Sequence, residues 1–546
     1  MDNENFIFLK FMNNIILNTQ YQKWFSMNGI HGVGFAFLDG DLLCEKELFS
    51  VIRKAIDDQT LISILKRLNG NCSLIIEAGD TCYIIADKMR SFPVLYSKIA
   101  NGWGITNDAV NIITYPGICE KIDFTSVLEF LAAGYLFGEK TLLQGVKQVA
   151  AGTCVCLKEY SSEVIEYHNY MLPKVVQEES EILTGAKDVL DRAFKRMFES
   201  IGDRQIVIPL SGGYDSRLIA CICKKLQRQN VVCYSYGRSD SFEVEVSKAV
   251  AAQLGYKWFF VEYTPALFDA MKKDTDFFNY LDHSHNLNTL PHFQDYFAVK
   301  ELCKRGVFEA NAVFVPGHSG DLFGGSKLPM EVFATDFSPN PQNLAKLIYE
   351  HFFDLNKEKY NDLDKCIQLI YDQLKECHVD SLESILNIYE PYWFVKSKVA
   401  HFLVNSMRIY EHFGFDWRLP LWDDEYATFW YKVEWEKKMN SELYNRFMFD
   451  TYFTPLKVAY KKNNTTKQLV PSGVKKFIPF PVLRLGRSAY MRLHKRKYDF
   501  NAQSHMIDLF KEMNNRRDEY SMDKSYDINS IAVIYILNRI ICMLKN

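Results

Sequence analysis

What the chain lacks narrows it first. No CxxC pair occurs among its 13 cysteines, so neither a zinc knuckle nor a dithiol redox centre is expected. Cys154 and Cys156 alternate in an apolar run, and Cys221 and Cys223 fall in a helical one. Both pairs suit small buried hydrophobes better than a disulfide framework, and a reducing, cytoplasmic setting goes with that reading. No stretch of about 18 uncharged apolar residues appears, so no membrane span is expected. The nearest approach, IAVIYILNRIICMLKN, is interrupted by Arg539 and reads as a buried helix. The opening MDNENFIFLKFMNN has no basic segment followed by a clean apolar run, so no signal peptide is expected. Excess positive charge is missing too. A net charge of −3 argues against a broad nucleic-acid footprint. There is no internal repeat, no low-complexity segment, no GxxxxGK[ST] and no GxGxxG.

What remains is ordinary for a soluble globular protein, with 48% apolar and 24% charged residues. At 546 residues the chain exceeds what one core usually serves. Its first part reads β-rich, with short runs at 32–38, 72–78, 81–87 and 153–160 separated by Gly and Asp turns. A helix over 123–133 interrupts them, with Thr125-Ser126 as its cap. After about residue 170 the style changes. A long helical pattern runs to Ser200, then a strand at 204–210, a glycine turn and a helix over 216–229. Strands at 230–236, 258–262 and 312–316 alternate with helices at 243–254 and 294–305. This predicts a parallel sheet covered on both faces. From about 340 the pattern is helical and rich in aromatics.

The chemistry concentrates in IVIPLSGGYDS, residues 206–216. A buried strand ends at Leu210, and Gly212 and Gly213 can take angles closed to other residues. Consecutive N–H groups would then form an anion nest, backed by the positive end of the next helix. Ser211 and Ser216 can donate to phosphate oxygens. Asp215 is a carboxylate in a site built for anions, which calls for a bridging Mg²⁺. A plain Gly-rich turn between strand and helix is the bland alternative.

SGGYDS with its preceding strand resembles the SGGxDS loop of ATP pyrophosphatases of the asparagine synthetase type. The resemblance implies cleavage of ATP between its α and β phosphates, an acyl-adenylate, and displacement of AMP by an amine. It implies that Leu210, Ser211, Gly212, Gly213, Asp215 and Ser216 hold pyrophosphate, and that the strand end at Tyr236-Gly237 holds adenine. FVPGHSGDLFGGS (314–326) is similar to the family's LSGEGSDEVFGGY at Ser319 and Phe323-Gly324-Gly325. Without a gap, the family's first glutamate falls on Gly317 and its aspartate on Gly320. Asp321 is then the second Mg²⁺ and pyrophosphate residue, and His318 the base. WRLPLWDDEY (417–426) resembles the family's VRVPFLD segment. Beyond it Arg446 matches the arginine of a K-x-x-L-R pattern, but Glu442 stands near the lysine. Lys437 and Lys438 then become candidates to stabilise the leaving pyrophosphate, and solvated helix lysines are the plainer reading.

NGNCSLIIEAGDTCYIIADKMRSFPVLYSK (69–98) resembles GxFAxxIxD…DRxGxxPLYY of glutaminase domains joined to asparagine synthetases. LAAGYLFGEKTLLQGVKQVAAGTCVCL (131–157) continues the likeness. That chemistry uses a cysteine exposed by removal of the initiator Met. Here residue 2 is Asp2 and Cys44 is internal, so the domain is expected to be an inactive relic, as in β-lactam synthetases and lasso-peptide cyclases.

The expected fold is α/β: a glutaminase-like (Ntn-type) αββα sandwich over 1–170, then a parallel-sheet ATP-pyrophosphatase domain over 171–546. The expected reaction is ATP- and Mg²⁺-dependent amide formation from a carboxylate and an amine or ammonia, which a separate protein could donate. Asparagine formation, amidation of a sugar uronate and ring closure in a natural product all remain open. A non-catalytic scaffold and an RNA-modifying ATP pyrophosphatase are the alternatives. Two further signals stand outside this scheme. Asp282-His283-Ser284-His285 with His292 suggests a metal site if the His-x-His pair lies on one face of a strand, but a loop lining an acceptor pocket is the better reading than zinc. RLGRSAYMRLHKRK (484–497) reads as a solvated basic face, or as an anion-binding one.

Overall fold

Alternating apolar residues in the first part of the chain pair into two sheets. The computed structural model describes residues 12–100, 102–114, 118, 121–318, 320–357, 359–461, 502–514, 520 and 527–545. Asp2, Ser319 and the 484–497 stretch lie outside the described residues. The strands here are β1 (Met12–Ile16), β2 (Phe25–Met27), β3 (Ile30–Leu38), β4 (Asp41–Cys44), β5 (Asn69–Ala78), β6 (Thr81–Ala86), β7 (Leu95–Ile99), β8 (Gly102–Thr106), β9 (Val146–Gln148), β10 (Thr153–Leu157) and β11 (Ser162–Glu166). The larger sheet runs β11-β10-β6-β5-β3-β2, with β4 on β3, and the smaller β1-β8-β7-β9. Val33, Ile75, Ile84 and Val155 of one sheet meet Tyr96, Trp103 and Ile105 of the other. Helix Glu45–Asp57 covers the outer face of the larger sheet through Leu48, Phe49 and Ile52. Helices Ala109–Ile113 and Phe124–Ala133 lie beyond the smaller. This is the expected αββα sandwich. The cap of the Phe124–Ala133 helix is Asp123, which accepts from Ser126 N, and not Thr125-Ser126.

Helix Glu179–Ile201 leads into the second part, opened by a capping box between Glu178 and Glu181. The second sheet comprises β12 (Ile206–Pro209), β13 (Val231–Gly237), β14 (Lys257–Glu262), β15 (Val313–Phe314) and β16 (Asp416–Trp417). It is parallel throughout, in the order β14-β13-β12-β15-β16. Ile206, Val207 and Ile208 are fully buried, as a central parallel strand requires. The chain steps outward from β12 to β13 and β14, then returns to place β15 on the other side of β12. That reversal is the topological switch point of the sheet, where ligands bind beyond the strand ends.

From Pro341 onward the chain is helical. Helix Leu382–Asn387 continues through π-type turns, Ile388–Leu403, with Pro391 inside them. Wide turns absorb a proline that regular i→i−4 bonding would exclude. Helix Ile528–Lys545 is long and apolar enough by length and composition to cross a membrane. It packs on helices Gln503–Met513 and Phe124–Ala133, with Ile531, Val533 and Leu537 buried, which agrees with reading it as a core helix. The twelve cysteines among the described residues are all free thiols.

Buried polar groups join the sandwich to the second part. Arg408 Nη2 donates to Ser91 O at 2.7 Å and pairs with Glu411 at 2.8 Å. In return Arg90 Nη1 reaches Ala400 O at 3.5 Å. Arg90 stands at the glycine of the DRxGxxPLYY pattern and holds φ +54, a strained position for a side chain. Gln22 Nε2 donates to Glu411 Oε2 at 2.9 Å, Lys88 Nζ meets Asp424 Oδ2 at 2.6 Å, and Asn69 bonds to Asp423 and to Asp424 N.

Arg408→Leu would leave Glu411 buried without its cation. The expected loss is about 3 kcal/mol, read as a lower urea midpoint. A second expectation concerns Asp295, whose carboxylate accepts from the Tyr234 and Tyr410 hydroxyls. Burial pushes its pKa up to about 6, against the bonds from Tyr410 and Tyr234; an unfolded chain has about 4. The folded state thus holds this proton more tightly. Between about pH 4 and pH 6 stability should fall as pH rises, and Asp295→Asn should flatten that slope in denaturation curves.

Candidate active site

The loop after β12 is braced by its own serines. Leu210 N donates to Tyr234 O at 2.8 Å, which seats the end of β12 on β13. Ser211 N then donates to Ser216 Oγ at 3.2 Å and Gly213 N to Ser211 Oγ at 3.1 Å. Helix Tyr214–Lys225 starts at once, and its N-cap Gly213 supplies no side-chain bond. The first N–H groups of the helix and its positive end are thereby left for an anion.

Left-handed angles for Gly212 and Gly213 are not found. Gly213 has φ −70 and ψ 174, and neither glycine is among those with positive φ. Space is what demands them. A Cβ on Gly212 would lie 2.9 Å from Glu243 Cα, and one on Gly213 3.0 Å from Ser211 Oγ.

The loop after β15 lies against the first. A Cβ on Gly317 would fall 2.3 Å from Ser216 N, and one on Gly320 would fall 3.0 Å from Asp215 Cγ. At Gly317, where the motif has a glutamate, backbone thus meets backbone, and at Gly320, where it has an aspartate, backbone meets the Asp215 and Leu421 side chains. Asp321 opens the first turn of the short helix Gly320–Phe323, and its N–H donates to Asp215 Oδ2 at 3.2 Å. Ser211, Asp215, Ser216, His318 and Asp321 line one cavity of about 590 Å³, which runs on to Lys327, Tyr389 and Lys398.

His318 is a cavity residue, not a surface hydrogen-bonder. Ser406 Oγ donates its only proton to Leu403 O, so it accepts from His318 Nε2 at 2.9 Å and leaves Nδ1 as the basic nitrogen. Burial, with His292 nearby, pushes this pKa down to about 3. The ring is neutral at ordinary pH and a weak base.

Lys438 is not a solvated helix lysine. It is 1% exposed, lies over the Trp435 and Tyr431 rings, and has its Nζ 3.8 Å from Glu390 Oε1. Burial lowers its pKa, and Glu390 opposes that. It does not line the cavity. It backs the FGG turn, where Gly325 has φ +81 and a Cβ would meet Lys438 O at 2.4 Å. Lys437 instead bonds to Gln177 O, and Arg446 pairs at the surface with Glu179.

Tyr236 and Gly237 end β13, outside the cavity lining. Tyr236 stacks on Tyr263, and Gly237 O accepts from Tyr263 N at 2.9 Å. The Asp282–His285 stretch is neither strand nor loop: it ends helix Thr275–Ser284, which Asp274 caps at its start and His285 at its end. Asp282 is paired with Arg539, and His283 lies against Tyr21. His292 lines a separate cavity of about 110 Å³ with His318. Among the described residues no three His, Cys, Asp or Glu side chains are grouped to hold a metal.

Two residues escape the sequence reading. Glu390 is fully buried between Lys438 and the Asp321 side of the second loop, and burial raises its pKa. Arg217 ties the first loop down: Nη2 donates to Gly212 O at 2.9 Å, and Nη1 to Val458 O and Tyr460 O. Its place one turn into the helix, beside the motif, is the only signal for it.

The asparagine synthase family model matches residues 185–526. The microcin J25-processing protein McjC of Escherichia coli is 22% identical over 320 residues, covering 57% of this chain and 58% of the relative. The match therefore spans less than two thirds of that protein's length. An NH3-dependent NAD synthetase from Campylobacter jejuni, solved with nitrate, overlaps 39% of this chain and 94% of its own, at 17% identity and a TM-score of 0.20. Glutamine phosphoribosylpyrophosphate amidotransferase from B. subtilis, solved with ADP and GMP, overlaps 54% and 63%, at 9% identity and a TM-score of 0.17. The fold assignment rests on the sheet order, not on these overlaps.

Gly317→Ala tests the loop contact. The added methyl meets backbone, so the loops must part, with an expected destabilisation of about 1–3 kcal/mol and loss of nucleotide binding. Unchanged affinity in a nucleotide titration would refute the contact.

Proposed function

The chain belongs to the asparagine synthase family, and on that premise we propose that it is a ligase that cleaves ATP to AMP and pyrophosphate while activating a carboxylate for amide formation. One observation carries this reading: Asp215 and Asp321 come from loops on neighbouring strands, yet share one cavity with Ser211 and Ser216. The loop suits a pyrophosphate, with the helix end and two hydroxyls facing it. Asp215 and Asp321 are the residues that would hold Mg²⁺. A pair of carboxylates with phosphates and water suffices for that ion, which would offset the charge of the leaving group. Ser211, Ser216 and the first N–H groups of helix Tyr214–Lys225 orient the phosphates, and no protein nucleophile is needed. His318 Nδ1 is the basic nitrogen nearest the loops, suited to taking a proton from an attacking amine, although its low pKa makes it a poor base.

The amine comes from outside the chain, as ammonia or a substrate amine. In this reading the sandwich serves as a brace for the helical stretch that carries Arg408. The likeness to the microcin J25-processing protein McjC favours a peptide-sized or other bulky carboxylate over aspartate. The setting proposed is cytoplasmic.

Pyrophosphate release from Mg²⁺-ATP, followed across a carboxylate panel, is the direct test. Asp215→Ala should lower it about a hundredfold or more. If no carboxylate elicits Asp215-dependent release and ATP does not bind, the ligase reading fails and a non-catalytic scaffold replaces it.

A further inference from the structure

The cavity has a second end that ATP cleavage does not use. Beyond the loops its wall is formed by Leu328, Phe352, Phe394 and Leu403, with the amine of Lys398 set among them. Lys398 comes from the π-type turns of Ile388–Leu403, and its Nζ lies 5.8 Å from the Phe352 ring centre. It forms no hydrogen bond or ion pair among the described residues, whereas its neighbour Lys396 is paired with Glu166. Native structures seldom leave a largely buried charge without a partner, because desolvation is not offset. Burial pushes this amine below its ordinary range; Asp354 opposes the shift and Lys327 adds to it. Nearby His351 and Tyr389 are already committed to each other at 2.6 Å. Among the described residues Lys398 and Lys327 are the cavity lysines without a hydrogen bond or ion pair, and Lys398 is the one set against the Phe352 ring.

We infer that Lys398 grips a second anionic group on the carboxylate substrate, so that the substrate class is a dianion with an apolar or aromatic body lying along Phe352 and Phe394. This rests on the ligase reading, in which the other carboxylate faces Asp215 and Asp321. If Lys398 held the reacting carboxylate instead, its loss would weaken monoanions and dianions alike.

The test is calorimetric titration of the full chain with glutarate and isophthalate, each beside its monoamide. The wild type should bind each dianion about tenfold or more tighter than the monoamide, the worth of one charge-assisted contact. Lys398→Gln should bring each pair within about twofold, and Lys398→Arg should keep most of the preference. No dianion binding, no preference in the wild type, its survival in Lys398→Gln or its loss in Lys398→Arg overturns the inference. Titrating ATP into the same wild-type protein separates the two claims. Absent ATP binding sinks the ligase reading, while the dianion preference is read independently.

Discussion

The site depends on one adjacency, that of β12 and β15. The two strands lie more than a hundred residues apart in sequence, yet they pair in parallel with Ile206 opposite Val313 and Val207 opposite Phe314. Parallel neighbours point their carboxyl ends the same way, so the loops that follow leave the sheet side by side. From there little freedom remains. Gly317 and Gly320 close the gap between the loops, and Asp321 N reaches the Asp215 carboxylate because nothing larger than hydrogen stands between them. The FGG turn then presses on Lys438 and Tyr444, which carries the arrangement into the helical part.

Local features of this kind were the ones legible in the sequence. SGGYDS could be read because strand, turn and helix fall within a dozen residues and need no distant partner. The sandwich was readable from its alternating strands. The reasons behind individual residues were less so. A glycine needed for contact and one needed for its backbone angles look identical in a sequence, and at Gly212 and Gly213 it is contact that counts. Lys438 lies in WEKK, a string that reads as solvent-facing. Its burial follows from the second loop and from Glu390, far away in sequence. The His283 and His285 pair was misread because period two was weighed over the capping Asp274 and the helical spacing of Phe277 and Leu281.

The charged groups divide by how they are satisfied. Those at the junction of the two halves are paired: Lys88 with Asp424 across it, and Arg408 with Glu411 and Arg196 with Asp423 and Glu425 within the second half. In the cavity and behind it the pattern differs. Lys438 and Glu390 sit 3.8 Å apart without a hydrogen bond between them, and Lys398 lies against the Phe352 ring with no hydrogen bond or ion pair among the described residues. Framework charges are largely met within the protein, whereas Lys398 and Lys327 line the cavity without a hydrogen bond or ion pair among the described residues.

The exchange of guanidinium bonds between Arg90 and Arg408 has an evolutionary consequence. Ala400, Ser406 and Arg408 stand on the same helical stretch that supplies Lys398 and supports His318. Deleting the sandwich would expose the Arg408–Glu411 pair to water and leave that stretch without its backing. Loss of the first half would therefore disturb the second, and the two are expected to be retained together.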